Sequence, residues 1–293
     1  MAMISKRRDG SRVLVLGLGV CLLPFHAPAA DCPNLVGQWT LGQSYVVAAS
    51  GDLAYFGDGA SFQVADVSDP TAPFVVGGVV LPADIKDIEI LGDFAYVAAD
   101  ASGLRVIDVS TPDSPVEVGF EDSPQHAFGV AVAGGYAYVA DTGYGLRVID
   151  IGSPASPLEI GLAATPGLAL DVAVAGDLAY IADNGEGLRI IDISVPSLPG
   201  HLGFFDTPGY AVGVAVVDDH VFVADRSAGL RVIDVSTPAA PVEVGFAFTP
   251  DDAEAVAVAD GFAYIAATMA GLSVIDVRTP SFPFEVGFYD TPG

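Results

Sequence analysis

The sequence predicts an all-β protein, a β-propeller of about six four-stranded antiparallel blades, and three observations carry this. One phrase recurs: Leu104-Arg105-Val106-Ile107-Asp108 returns at 146–150, 188–192 and 230–234, with weaker copies at 62–66 and 272–276. Its aspartates, Asp66, Asp108, Asp150, Asp192, Asp234 and Asp276, stand 42 residues apart with no insertion. Between the turns no stretch is long enough for a helix, and β-branched and aromatic residues fill the gaps. A period of this size means stacked supersecondary units, and four short strands in about 40 residues make a propeller blade. A β-solenoid is the alternative, but its rungs are usually shorter and need no two proline-glycine turns per unit.

The unit that starts at Phe128 shows the grammar. Val130-Ala131-Val132 is the first strand and Tyr136 to Ala140 the second, joined by Gly134-Gly135. Equivalent two-residue turns are Gly51-Asp52, Gly92-Asp93, Gly176-Asp177, Asp218-Asp219 and Asp260-Gly261, residue types that tolerate the positive φ of a type I′ hairpin. A tight loop leads to the third strand, Leu146 to Ile151. Ser153-Pro154-Ala155-Ser156-Pro157 then breaks the chain, because proline cannot donate into a ladder. Leu158 to Leu162 is the fourth strand, and Thr165-Pro166-Gly167 closes the unit as a type II turn with Gly167 at positive φ.

Residues 1–30 stand apart. Lys6, Arg7, Arg8 and Arg12 precede an apolar stretch from Val13 to Phe25, and Ala27-Pro28-Ala29-Ala30 offers small residues for cleavage. That order predicts a secretory signal peptide cut near Ala29-Ala30, with the rest secreted, periplasmic or at the cell surface; the apolar run is too short to span a bilayer. No second long apolar segment occurs, so no transmembrane span is expected in the mature chain. Residues 31–293 then form one propeller domain, with units at about 43–82, 83–124, 125–167, 168–209, 210–250 and 251–293. Residues 34–41 read as an extra outer or closing strand, and six blades are expected to close near the termini.

The chain carries 11 Lys and Arg against 37 Asp and Glu, a net charge of −26. Loss of residues 1–30 leaves 7 basic and 36 acidic residues, or −29. Such a surface repels phosphates and anionic lipid, so nucleic acid is not an expected partner. Cys21 falls in the export segment, which leaves Cys32 alone and excludes an internal disulfide. The residues before the two cysteines, Val20 and Asp31, are not the small ones that a lipidation signal needs.

The Leu-Arg-Val-Ile-Asp phrase and its copies resemble the LVIVD repeat of bacterial propeller-like proteins. The Tyr-Val-Ala-Asp phrase at 138–141, with relatives at 180–183 and 222–225, is also similar to the YVTN-type propeller repeat. The resemblance runs from about residue 34 to 293. It implies a propeller at the cell surface or outside the cell, and it supplies no catalytic residue.

Repeated residues read as structural. The aspartate of each phrase precedes Ser, Gly or Arg by two residues and can cap the following turn. Asp141 with Arg147, Asp183 with Arg189 and Asp225 with Arg231 suggest ion pairs within one hairpin; in the last unit both members are replaced together, by Ala267 and Ser273. Glu117, Glu159, Glu243 and Glu285 read as charges that blunt the outer edges.

Residues that break the repeat at one mouth are the candidates. Asp87, Glu89 and Asp171 interrupt first strands that otherwise hold small residues at these positions, and Asp84, Asp252 and Glu254 add acids to the loops leading in. Several carboxylates at one mouth could hold Ca²⁺, a hard cation that takes oxygen ligands. His126, Tyr144, Glu186, Tyr210 and Arg226, with Met269, vary between units on the same loops and suit recognition of a protein or glycan. Three readings stay open: a secreted binding or scaffold propeller, with or without calcium support; a metal-dependent hydrolase or lactonase with His126 as base; and a purely structural surface repeat. No nucleophile elbow, phosphate loop or zinc motif is present.

Overall fold

The computed structural model describes residues 2–6, 12–16, 19–22 and 46–290. The 34–41 strand expected from the sequence, Cys32 and the start of the first unit lie outside the described residues. Three strands come first: β1 (Ala2–Lys6), β2 (Arg12–Leu16) and β3 (Gly19–Leu22), antiparallel in the order β1-β2-β3.

Six four-stranded antiparallel blades follow, each in simple sequence order. Blade 1 holds β4 (Val46–Ser50), β5 (Leu53–Asp58), β6 (Ser61–Asp66) and β7 (Phe74–Val80). Blade 2 holds β8 (Asp87–Leu91), β9 (Phe94–Ala98), β10 (Leu104–Asp108) and β11 (Val116–Glu121). Blade 3 comprises β12 (Ala127–Ala133), β13 (Tyr136–Asp141), β14 (Gly145–Asp150) and β15 (Leu158–Ala163). Blade 4 comprises β16 (Asp171–Ala175), β17 (Leu178–Ala182), β18 (Leu188–Asp192) and β19 (Gly200–Phe205). In blade 5 are β20 (Gly213–Val217), β21 (His220–Ala224), β22 (Leu230–Asp234) and β23 (Val242–Ala247). Blade 6 ends the ring with β24 (Ala253–Ala259), β25 (Phe262–Ala267), β26 (Gly271–Asp276) and β27 (Phe284–Tyr289).

The first strands of successive blades lie side by side and line the channel. The three-stranded N-terminal sheet sits between blade 6 and blade 1, with β1 against β4, β24 and β25. No helix among the described residues is long and apolar enough to cross a membrane.

Local chemistry explains the regularity. The first residue of each two-residue hairpin has positive φ, from Asp260 at 50° to Gly92 at 62°. The repeated Asp caps its turn in all six blades: the N–H groups of Ser68, Ser110, Gly152, Ser194, Ser236 and Arg278 donate to Asp66, Asp108, Asp150, Asp192, Asp234 and Asp276. Where serine follows, its hydroxyl and N–H together hold the Asp66, Asp108, Asp192 and Asp234 carboxyls below the usual range.

Alternate residues of each strand point to opposite faces, so a blade has two apolar faces and buries neither alone. Blades 1 and 2 meet through Tyr55, Phe62, Ile88, Val97 and Ile107, and the same arrangement recurs at each later junction. Between third and fourth strands the register slips by one residue in every blade, for example between Val106 and Ile107. The bulged outer strand carries a glycine that the next blade requires. A Cβ on Gly203 would lie 2.0 Å from the carbonyl oxygen of Pro238, and Gly77, Gly119, Gly161 and Gly245 meet Pro112, Pro154, Pro196 and Pro280 in the same way. The proline turn thus docks its carbonyl onto bare backbone of the preceding blade.

Gly203→Ala is expected to cost about 1–3 kcal/mol, the usual range for overpacking. Gly200→Ala, in the same strand but with open space around it, should be close to neutral. Urea denaturation of the two variants checks the contrast.

Candidate functional site

One end of the ring gathers the loops between second and third strands together with the loops that lead into first strands. It is built on backbone that crosses between blades. Asp100, Asn184 and Arg226 adopt left-handed conformations, with φ of 42°, 52° and 42°. Each forms an antiparallel bridge to the next blade: Asp100 to Ala127, Asn184 to Ala211 and Arg226 to Ala253.

A second fixture secures the loop that leads into each middle blade. Asp183 and Asp225, fully buried at the end of β17 and β21, accept from Thr165 and Thr207 hydroxyls at 2.6 Å and from the Gly167 and Gly209 N–H groups at 3.0 and 2.9 Å. In blade 3 the Ser123 hydroxyl donates to Asp141. Burial pushes the Asp183 and Asp225 carboxyls upward against these bonds. The glycine of the Thr-Pro-Gly turn is therefore needed for close approach, not for positive φ. Neither Gly167 nor Gly209 is left-handed, and a Cβ on either would lie 2.2 or 2.3 Å from the aspartate's carbonyl oxygen.

The arginines of the repeat stand on the third strand, buried between acids of both neighbours. Arg189 and Arg231 lie 3.5 and 3.7 Å from Asp183 and Asp225. Arg147 takes Glu159 and Glu121 instead of Asp141. The outer-strand acids are thus ion-pair partners as well as edge charges: Glu117 meets Arg105 at 3.2 Å and Glu243 meets Arg231 at 3.6 Å. Phe120, Phe204 and Phe246 cover the guanidinium groups of Arg105, Arg189 and Arg231 at 4.6–5.0 Å. Sequence spacing alone did not reveal this three-strand arrangement.

The six acids considered for a cation are not gathered into one set. Asp87 and Asp171 brace the ring. Each accepts from the following residue's N–H and from a first strand of the next blade, Asp87 from Val130 and Asp171 from Val214, all at 2.8 Å. The next blade presents Gly129 or Gly213 beside them, so Asp and Gly alternate around the channel at 87, 129, 171 and 213. That alternation is the signal by which sequence reasoning could have found the bracing role. Glu89 is exposed on β8, across the ladder from Tyr96. Asp84 pairs with Lys86, Glu254 pairs with Arg226, and the Asp252 carbonyl accepts from Thr268. Among the described residues no three His, Cys, Asp or Glu side chains are arranged to hold a metal ion.

Several of the variable residues on these loops have local partners. Asp100 is flanked by Lys86 at 3.4 Å and by the His126 ring nitrogen at 2.5 Å, and the Lys86 ammonium lies 5.6 Å from the Phe128 ring. Tyr210 is 55% exposed and flanks Gly185, where a Cβ would meet its ring at 3.6 Å. Glu186 reaches Arg189 at 2.8 Å. Tyr144 and Met269 are exposed as well. These loops offer cations, acids, aromatic faces and a thioether.

A ring of four-stranded blades around a lined channel, with one loop-rich rim, is a β-propeller. The LVIVD repeat matches the chain six times, over residues 41–80, 82–122, 124–165, 166–207, 208–249 and 250–291. The chain belongs to the LVIVD-repeat family. No curated protein matches it. Among solved structures it is similar to the Cps50 (Swd1) β-propeller domain of Myceliophteria thermophila, at a TM-score of 0.73 and 12% identity, covering 94% of this chain and 96% of that one. The computationally designed Ika8 protein superposes at 0.64 with 11% identity, over 80% of this chain and 71% of that one. A functionally unknown protein from Desulfotomaculum acetoxidans DSM 771 gives 0.61 and 13%, over 80% and 76%. At these identities the likeness is one of fold.

Burial raises the Asp87 carboxyl to about 6; burial, with the charge of Asp87, raises that of Asp171 to about 8. A carboxyl raised in the folded state contributes stability while protonated and loses it as pH rises through the folded value. Thermal stability is therefore expected to fall as pH rises from the ordinary aspartate range to about 8, and Asp171→Asn should flatten the profile above pH 6. Melting curves from pH 4 to 9 test this; parallel profiles for variant and parent would contradict it.

Proposed function

We propose that this chain is an exported binding or scaffold propeller that recognises a protein or glycan through the loop-rich mouth. One observation carries the proposal. Side chains that hold the frame repeat from blade to blade, whereas the exposed residues of this rim differ between blades, on loops of which three are fixed by inter-blade bridges. Rigid backbone with variable exposed side chains is the usual construction of a recognition surface. The signal-like residues 1–30 support the exported compartment, and the strong negative charge argues for a partner that is neither nucleic acid nor anionic lipid. Tyr and Arg on the rim are residue types that dominate interface energetics. The dispersal of the candidate acids offers no support for calcium, and the reading includes no metal.

The combined variant His126→Ala, Tyr210→Ala, Arg226→Ala should weaken binding to a glycan and surface-protein panel by about tenfold or more. Its melting temperature should stay near that of the parent. Substitution of exposed residues at the opposite hairpins, such as Asp177→Ala and Asp219→Ala, should leave binding unchanged. Equal loss from both sets would sink the assignment to this mouth.

A further inference from the structure

Five junctions join adjacent blades, and two apolar faces are left over. Blade 1 turns Val47, Phe56 and Val67 away from blade 2. Blade 6 turns Tyr264, Leu272 and Val274 away from blade 5. These faces are the repeat equivalents of ones that meet directly elsewhere: Phe56 corresponds to Val97 and Val139, and Tyr264 to Tyr96 and Tyr138. Here they do not join into one cluster. Both are nevertheless buried, Phe56 to 7% and Leu272 to 0% exposure.

The N-terminal sheet lies between them. β1 borders β4 on one side and β24 on the other, as β12 borders β8 and β16. It also touches β25, the second strand of the blade before it, just as β16 touches β13. β2 touches β4 as β13 touches β16, and the sheet runs outward in the order β1-β2-β3. β1 therefore stands where an innermost strand stands.

We propose that the ring has seven positions, and that β1–β3 are the inner three strands of its seventh blade. This goes beyond recognition at the mouth, because it assigns a structural role to residues that read as an export address. The six repeat matches begin only at residue 41. A chain cleaved after Ala30 would have its seventh position open, with the Phe56 and Leu272 faces bared on either side.

The test uses the full chain carrying an inserted protease site after Ala30, folded first and then cut. The fragment is expected to co-elute with the six repeats in gel filtration. If it instead leaves and the amides of β4 and β25 then exchange faster with a fall in Tm, the fragment filled the ring and the proposal also stands. Departure with no change in exchange or Tm would overturn it. In the uncut chain Leu14→Pro, which removes a donor from the central strand β2, should speed exchange at β4 and β25 and spare the junction of blades 3 and 4. Exchange that is unchanged at β4 and β25, or that accelerates equally at all junctions, would count against the seventh blade.

Discussion

No blade of this protein can bury both of its faces by itself, and everything else in the structure answers to that constraint. Each sheet is apolar on two sides, so stability resides at the junctions between units. The ring turns a one-dimensional stack into a curved array in which successive blades bury each other's faces. The bare glycine on the outer strands of blades 1 to 5, the proline carbonyl docked onto each, and the Asp87 and Asp171 carboxyls that reach into the next blade all serve these junctions. The buried Asp183 and Asp225 serve them indirectly, by fixing the loop that carries the chain from one blade to the next.

Charge is handled by the same economy. The four repeat arginines are almost fully buried, which would be costly without partners. Each sits among acids of adjacent strands, and three of them lie beneath a phenylalanine. Where one partner shifts, the others adjust: Arg147 of blade 3, which has Leu162 in place of the phenylalanine, binds Glu159 and the Asp122 carbonyl. Blade 6 drops both Asp and Arg, keeping Ala267 and a buried Ser273. The frame thus consumes most of the repeated charge.

Much of the fold was legible in the sequence because its signals are local. The 42-residue period, the hairpin residues and the capping aspartates depend on neighbours a few positions away. Contacts between blades were less legible. Asp87 and Asp171 stand out as charges in a small-residue column, and that anomaly fits a cation site as well as a brace; only the partner strand decides. Gly167 looks like a positive-φ turn residue, yet its real constraint is a carbonyl 16 residues away, at Asp183. The N-terminal strands were illegible for a further reason, since their basic and apolar order read as an export segment and the clear copies of the repeat begin later.

The central claim is that the frame and the recognition rim are separate sets of residues. A scan of all single substitutions, selected for folding alone, tests it most directly. Tolerance at 126, 144, 186 and 210 alongside intolerance at 183, 203, 209 and 225 is the predicted result. Intolerance of the rim residues equal to that of the buried aspartates and glycines would contradict it, because their variation between blades would then be part of the frame.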